Sequence, residues 1–66
     1  AIDDDAQLLL KELKANNGYL GLTDKSHPEE IKSVLQMSKK AFKKAVGNLY
    51  KQRLIDIKEN GIFLNS

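Results

Sequence analysis

The feature that most constrains the fold is a change in hydrophobic period at Arg53. Upstream of it, apolar residues recur at spacings of three and four, which is typical of amphipathic helices. Downstream, Leu54-Ile55-Asp56-Ile57-Lys58 alternates as a half-buried strand does. Asn60-Gly61, a strong hairpin-turn signal, separates that segment from Ile62-Phe63-Leu64. The sequence therefore predicts helices followed by a C-terminal β-hairpin.

The register of this hairpin is predicted from its turn. A two-residue turn at Asn60-Gly61 makes Ile57 face Leu64 and Lys58 face Phe63. Phe63 then lies beside Lys58 on the outer face of the hairpin. The residues predicted on the core face are Ile55, Ile57, Ile62 and Leu64.

The first predicted helix follows the acidic run Asp3-Asp4-Asp5, whose carboxylates suit the N-cap and the positive end of a helix dipole. It ends at Asn16-Asn17-Gly18, because Gly18 can adopt the left-handed conformation of a helix stop. A brief apolar strand, Tyr19-Leu20-Gly21-Leu22, is predicted next. The predicted buried stripe of the helix contains Ala6, Leu9, Leu10 and Leu13.

The second predicted helix has Ser26 as its N-cap, and Glu29 three residues later completes a capping box. Pro28 occupies the first turn, where its missing N–H has no consequence. This helix is short and is predicted to stop near Gln36. Its predicted buried residues are Ile31, Val34 and Leu35.

The third predicted helix begins after the hinge Met37-Ser38, with Ser38 as its N-cap. On a helical wheel its apolar and cationic residues fall on opposite sides. The predicted core side contains Phe42, Ala45, Val46, Leu49 and Arg53. The predicted outer side contains Lys40, Lys43, Lys44, Gly47 and Lys51. Burial of the apolar side therefore gathers the ammonium groups into an outward stripe.

The predicted order is helix, short strand, helix, turn, helix, strand, tight turn, strand. This order matches an α+β winged helix, in which a helix-turn-helix is joined to a β-hairpin wing and the third helix is usually offered to the major groove. The 66 residues suffice for one small domain with a thin core. Because the chain starts at Ala1 rather than Met, we expect residues 1–66 to be a single winged-helix domain from a longer multidomain protein.

Charge is distributed unevenly along the chain, although the formal net charge is only +2. Residues 1–37 carry four lysines against seven carboxylates, a net of −3, and residues 38–66 carry seven cations against two carboxylates, a net of +5. A basic half is where nucleic-acid contact is expected. The sequence has no cysteine and no apolar run that could span a membrane, so we expect a cytoplasmic location and no membrane partner.

The sequence shows no pattern typical of catalysis or metal binding. It has no Ser/His/Asp set, no cysteine nucleophile and no phosphate-cradling glycine loop, and its acidic clusters Asp3-Asp4-Asp5 and Glu29-Glu30 lack metal-ligand spacing. The single histidine, His27, is interpreted as a surface residue at a helix start. We predict no enzymatic activity, no cofactor, no metal site and no small-molecule substrate.

The candidate nucleic-acid-binding residues follow from the lysine stripe, whose alternative interpretation is a solvated helix face. Lysine is a flexible point charge that suits phosphate contact, with release of counterions, better than base reading. Phe63 is interpreted as a stacking surface for an unpaired base, or as a cover for the sheet or a neighbouring domain. Gly47 is interpreted as a point of close approach for a partner or, preferably, as a tolerated or internally packed glycine. The predicted set is Lys39, Lys40, Lys43, Lys44, Gly47, Lys51, Lys58 and Phe63.

Two segments, DKSHPEEI (residues 24–31) and MSKKAFKKAVGNLYKQRLIDIKENGIFL (residues 37–64), resemble the C-terminal domain of the conserved virulence factor B family of bacterial RNA-binding proteins. The resemblance extends over about two thirds of the chain. It implies a winged helix that follows several OB-type RNA-binding domains, which lie outside this sequence.

Together these observations predict a nucleic-acid-binding module, with RNA favoured by the resemblance, that contacts phosphates of RNA or DNA through its third helix. One alternative is a protein-interaction winged helix that docks on neighbouring domains of the same chain or on an acidic partner. Another is a DNA-binding transcriptional regulator, which shares the fold. Such a regulator reads base edges with arginine and asparagine side chains, and this sequence lacks a suitable set of them.

Overall fold

The structure, a computed structural model, describes residues 3–65. They form three helices, α1 (Asp4–Ala15), α2 (Pro28–Leu35) and α3 (Lys39–Lys51), and three strands, β1 (Tyr19–Leu20), β2 (Ile55–Lys58) and β3 (Gly61–Leu64). Strand β3 lies between β1 and β2 and pairs antiparallel with both. The predicted α+β winged helix is confirmed, with β2 and β3 as the wing.

One apolar core joins the helices and the sheet. Helix α1 packs most extensively against α3, and β2 and β3 contact α3 and α1 respectively. The largest fully buried side chains are Phe42, Leu9, Leu13, Ile31, Leu35, Leu49, Ile55 and Ile62. Within residues 3–65 no helix combines the length and the apolar character needed to cross a bilayer.

Helices α1 and α3 begin where the sequence predicts. The Asp3 carboxylate accepts a hydrogen bond from the Ala6 N–H (2.8 Å), and the Ser38 hydroxyl oxygen accepts one from the Ala41 N–H (3.1 Å). Each side chain satisfies a backbone donor that has no partner inside its own helix. Gly18 has a φ of +82°, so the predicted left-handed stop after α1 is also confirmed.

The predicted capping box of α2 is wrong. The N-cap is His27, which makes no side-chain capping bond, and the hydroxyl oxygen of Ser26 instead accepts from the Thr23 N–H (3.0 Å). The cause is Pro28, which is the first helical residue and keeps the residue before it in an extended conformation. The helix therefore begins one residue later than a Ser26 cap allows.

Three apolar assignments also need correction. Strand β1 ends at Leu20, although Leu22 beyond it is buried. Leu10 is only half-buried, and Val34 is 44% exposed. Helix α2 reaches the core through Ile31 and Leu35, four residues apart, and its eight residues leave Val34 at the margin of that contact.

The predicted turn and register of the wing are wrong by one residue on each strand. Ile57 pairs with Ile62 and Lys58 with Gly61, so Glu59-Asn60 forms the two-residue connection. The pairing still leaves Ile55, Ile57, Ile62 and Leu64 on one face, because a shift of one residue on both strands preserves the alternation. Ile57, predicted in the core, is 50% exposed because it lies where β2 extends past the buried centre of the sheet.

Gly61 explains the observed register. Its φ is +152°, and a Cβ placed on it would collide with the Leu20 carbonyl oxygen and lie 2.9 Å from Cε1 of Tyr19. The glycine is therefore needed where β3 passes β1 rather than in the turn. This contact lies far away in sequence, which is why the Asn60-Gly61 signal predicts the wrong turn.

The predicted position of Arg53 on the core side of the third helix is wrong. Helix α3 ends at Lys51, and Arg53 is exposed with a φ of +59°. Its N–H donates to the Tyr50 carbonyl (3.0 Å) and the next N–H, of Leu54, donates to the Leu49 carbonyl (3.0 Å). These two bonds form a Schellman motif, which turns the chain out of the helix before residue 53 can follow the wheel.

Gln36 ends α2 with a φ of +58°, a conformation that favours glycine. Replacing Gln36 with glycine is expected to raise the free energy of unfolding by about 0.5–1 kcal/mol, because relief of the left-handed strain exceeds the added backbone entropy. Thermal denaturation measures this change. The matched control is Gln52→Gly, at a φ of −88°, which should lower stability and also removes a side-chain hydrogen bond to Asn48.

Candidate nucleic-acid interface

Helix α3 separates its apolar and cationic residues as predicted. Phe42, Ala45 and Leu49 are buried, and Val46 is half-buried beside them. The opposite side is exposed. We call it the basic face of α3, and it consists of Lys40, Lys43, Lys44, Gly47 and Lys51. Burial of one side of the helix thus holds four ammonium groups on the other.

The ammonium groups of the basic face have no anionic partner within residues 3–65. None of Lys40, Lys43, Lys44 and Lys51 forms an ion pair or a hydrogen bond there, so the acidic residues of the N-terminal half do not neutralise them. The charges remain available to a ligand.

The first turn of α3 is electrostatically unusual among the helices of residues 3–65. Helix α1 has Asp4 and Asp5 in its first turn and α2 has Glu29 and Glu30, whereas α3 has no acidic residue there. Lysines begin it instead, at the positive end of the helix dipole. The basic face also places Lys40 and Lys44 four residues apart, a spacing at which like charges repel. The free chain is therefore not stabilised by this arrangement of charges.

The remaining predicted site residues do not all lie on the basic face. Lys39 is the first residue of α3 and is half-buried beside that face. Lys58 and Phe63 lie on the outer face of the sheet, opposite Ile57 and Ile62, because alternate strand residues point to opposite faces. The predicted set is thus divided between two surfaces.

The outer face of the sheet carries an aromatic cluster. The Phe63 ring lies 4.8 Å from the Tyr19 ring, centroid to centroid, and the Lys58 ammonium nitrogen lies 5.4 Å from the Phe63 centroid. Both rings are half-buried. The hydroxyl of Tyr19 donates to the carbonyl of Asn60 (3.0 Å), which ties the wing tip to β1. The tip itself offers the carboxylate of Glu59 rather than a cation.

A groove of about 250 Å³ lies between α3 and the wing. It is lined mainly by apolar side chains, with Ile57 half-exposed at the wing and Lys43 and Gly47 on the helix. A Cβ built on Gly47 would meet nothing within 4 Å. Gly47 is therefore not packed against another segment of residues 3–65, which corrects that part of its interpretation.

Replacing Gly47 with alanine is expected to raise the free energy of unfolding by about 1 kcal/mol, because the added methyl group meets open space and alanine favours the helix. A thermal melt should show an increase of roughly 4–8 °C. Nucleic-acid affinity should stay within about twofold of the original chain if Gly47 is simply tolerated. A large loss of affinity in the stabilised variant contradicts that interpretation and indicates close approach of a partner at this residue.

Sequence reasoning missed two exposed residues at the C-terminal end of α3. Tyr50 is 55% exposed, and Arg53 is exposed as described above. The spacing of Tyr50 from Lys43 and Gly47, seven and three residues, could have placed it next to the basic face. No local signal marked Arg53, because the helix stop contains no glycine.

No group of three or more His, Cys, Asp or Glu residues that could hold a metal ion occurs between residues 3 and 65. The basic face itself presents ammonium groups, and the exposed ring of Tyr50 lies beside it. Ammonium groups bind anions, and an exposed aromatic ring can stack on a planar ring.

Known proteins resemble this chain in sequence. A family model described as "CvfB-like winged helix domain" matches residues 7–64. Conserved virulence factor B from Staphylococcus aureus strain USA300 is 48% identical over 63 residues, which are 96% of this chain and 21% of that protein. The protein of the same name from strain NCTC 8325 matches to the same extent.

A solved structure extends this similarity to three dimensions. The crystal structure described as "a multidomain protein with nucleic acid binding domains" from Streptococcus pneumoniae TIGR4 matches with a TM-score of 0.93 at 40% identity, over 98% of this chain and 23% of that chain. This chain spans about a fifth of the length of the staphylococcal relatives. With the family model matching nearly all of the sequence, the chain belongs to the CvfB-like winged helix domain family.

Proposed function

We propose that this chain is a nucleic-acid-binding module that contacts phosphates through the basic face of α3, with Lys39 beside it. The observation that carries the proposal is the charge arrangement of α3. Its first turn opposes the helix dipole, and its exposed ammonium groups have no partner within residues 3–65. A polyanion that binds there relieves the repulsion among the lysines and releases its own counterions.

RNA is favoured over DNA as the ligand because the chain resembles a family of RNA-binding proteins. The pneumococcal relative, described as containing nucleic acid binding domains, supports the broader class without separating RNA from DNA. Within this proposal the module adds phosphate contacts to a larger bacterial regulatory or virulence-factor protein. Lys58 and Phe63 assist from the outer face of the sheet, where the ring can stack on an unpaired base.

A salt titration tests this proposal. Labelled single-stranded RNA and duplex DNA are titrated with the chain at several salt concentrations. With four phosphate contacts, the slope of log K against log salt should be roughly −3 for a single strand. Binding that is absent, or that does not change with salt, contradicts phosphate contact by the basic face.

The groove between α3 and the wing favours a second candidate, a module that docks on a protein. Half-exposed Ile57 and the apolar lining of the groove suit an apolar side chain from a neighbouring domain or another protein. Asp24 lines the groove as well as Lys43, so an acidic partner is suited by the basic face rather than by the groove itself. Substituting Ile57 with serine should weaken such docking and leave salt-dependent RNA binding unchanged.

A further inference from the structure

The C-terminal end of α3 carries an exposed aromatic ring beside the basic face. Tyr50 is 55% exposed, and its hydroxyl has no hydrogen-bond partner among the described residues. It lies three residues after Gly47 and seven after Lys43, so it shares their side of the helix. A nucleic-acid strand that runs along the lysines toward the end of α3 would therefore reach the ring of Tyr50.

Tyr50 borders a depression between the end of α3 and the start of β2, with a volume of about 470 Å³. We call this depression the base pocket. Its lining residues are Tyr50, Lys51, Arg53, Ile55, Asp56 and Asn65. Its walls combine charged and amide side chains with apolar ones, so it suits a planar ring with polar edges better than an aliphatic side chain.

The backbone holds the polar groups of this pocket in position. The Schellman motif fixes Arg53 in a left-handed conformation that disfavours side chains, and the Arg53 carbonyl accepts from the Asn65 side-chain amide (3.0 Å). The Asn65 N–H donates to the Leu54 carbonyl (2.9 Å), so the segments on the two sides of the wing are joined here. These bonds place Arg53 and Asn65 at the wall of the pocket.

Asn65 uses its side-chain amide in the bond to Arg53, but the charged side chains of the base pocket have no partner within residues 3–65. Arg53 and Asp56 both line the pocket, and neither side chain has a hydrogen-bond or ion-pair partner there. A guanidinium and the Lys51 ammonium suit a phosphate, whereas a carboxylate accepts from the amino group of a base. Aromatic rings in such settings stack on unpaired bases.

We propose that the base pocket binds one unpaired nucleobase of the nucleic acid held by the basic face. The base stacks on Tyr50 and donates to Asp56, and the adjoining phosphate contacts Lys51 and Arg53. This inference rests on the proposed function and adds a preference to it. A paired base is already stacked in its duplex, so the module prefers single strands over duplexes.

The test compares three labelled ligands with the chain: a single-stranded adenine oligoribonucleotide, an abasic strand of equal length, and an RNA duplex. Tyr50→Ala should weaken binding of the adenine strand about 5- to 150-fold, the range found when a stacking ring is removed. Its binding of the abasic strand and the duplex should match that of the original chain. Tyr50→Phe retains the ring and should restore most of the affinity.

A direct readout of stacking is also available, because the chain contains no tryptophan. Tyr50→Trp places a single fluorophore at the pocket, and its emission should be quenched by the adenine strand and not by the abasic strand. Equal affinity of Tyr50→Ala and the original chain for the adenine strand overturns the base pocket. Failure of the abasic strand to bind the original chain overturns phosphate contact instead, so the two proposals fail separately.

Discussion

Replacing Lys40, Lys43 and Lys44 together with glutamate is expected to weaken nucleic-acid binding at least about 100-fold at low salt. Two unit charges 4 Å apart in water interact by about 1 kcal/mol, so three lost attractions alone weaken binding by about this factor, and the new carboxylates add repulsion. The fold should persist, because the three side chains are exposed and unpaired within residues 3–65. Titration of labelled RNA and a thermal melt of the variant measure both quantities.

The matched control replaces Lys11, Lys14 and Lys32 with glutamate. These lysines are exposed on α1 and α2, and the change in net charge is identical. If binding depended on net charge alone, the two triple variants would lose affinity equally. Phosphate contact by the basic face instead requires a much larger loss of affinity in the α3 variant. If that variant retains its affinity, the basic face does not contact phosphates.

Glutamine at the same three positions of α3 provides a quantitative form of this experiment. Removing three lysine–phosphate pairs should reduce the slope of log K against log salt by roughly 2 for a single-stranded ligand. The glutamine variant adds no repulsion, so the change in slope reports how many phosphates the three lysines neutralise. An unchanged slope means that these lysines do not bind phosphates.

Replacing Gly61 with alanine is expected to lower the free energy of unfolding by about 2–4 kcal/mol. The φ of +152° strains any residue with a Cβ, and that atom would also collide with the Leu20 carbonyl oxygen. Relief requires β1 to move away from β3, which breaks the pairing of Leu20 with Ile62. Thermal denaturation should show a decrease of about 10 °C or more for a domain of this size.

The control for Gly61→Ala is Gly47→Ala, the same chemical change with the opposite expected sign. Gly47 lies in open space on a helix, whereas Gly61 lies against another strand. Melting temperatures that fall in both variants contradict the open environment of Gly47. An unaltered melting temperature for Gly61→Ala contradicts the close passage of β3 beside β1.

The helices illustrate what local sequence can predict. A cap at Asp3 or Ser38 needs only a backbone donor three residues later, and both bonds are present. The buried side of α3 follows from the spacing of Phe42, Ala45 and Leu49. Ser26 fails as a cap for a reason that is also local, because Pro28 sets the first helical residue.

The wing illustrates what local sequence does not predict. Asn60-Gly61 matches the residues of a two-residue turn, yet the glycine is required by the Leu20 carbonyl, which approaches from a strand about forty residues away. The helical wheel misplaces Arg53 for a related reason. It assumes that the helix continues, and the Schellman motif ends α3 before Arg53.

The sequence by itself determined the order of the elements, the two sides of α3 and the outward direction of its lysines, because each depends on residues that are close together in the chain. The tertiary structure decided the register of the wing, the exposure of Val34 and Ile57, and the convergence of Tyr50, Arg53 and Asp56 on one depression. These features depend on which distant segments meet. Steric exclusion and burial in the packed chain decide which segments meet. No local pattern encodes these contacts.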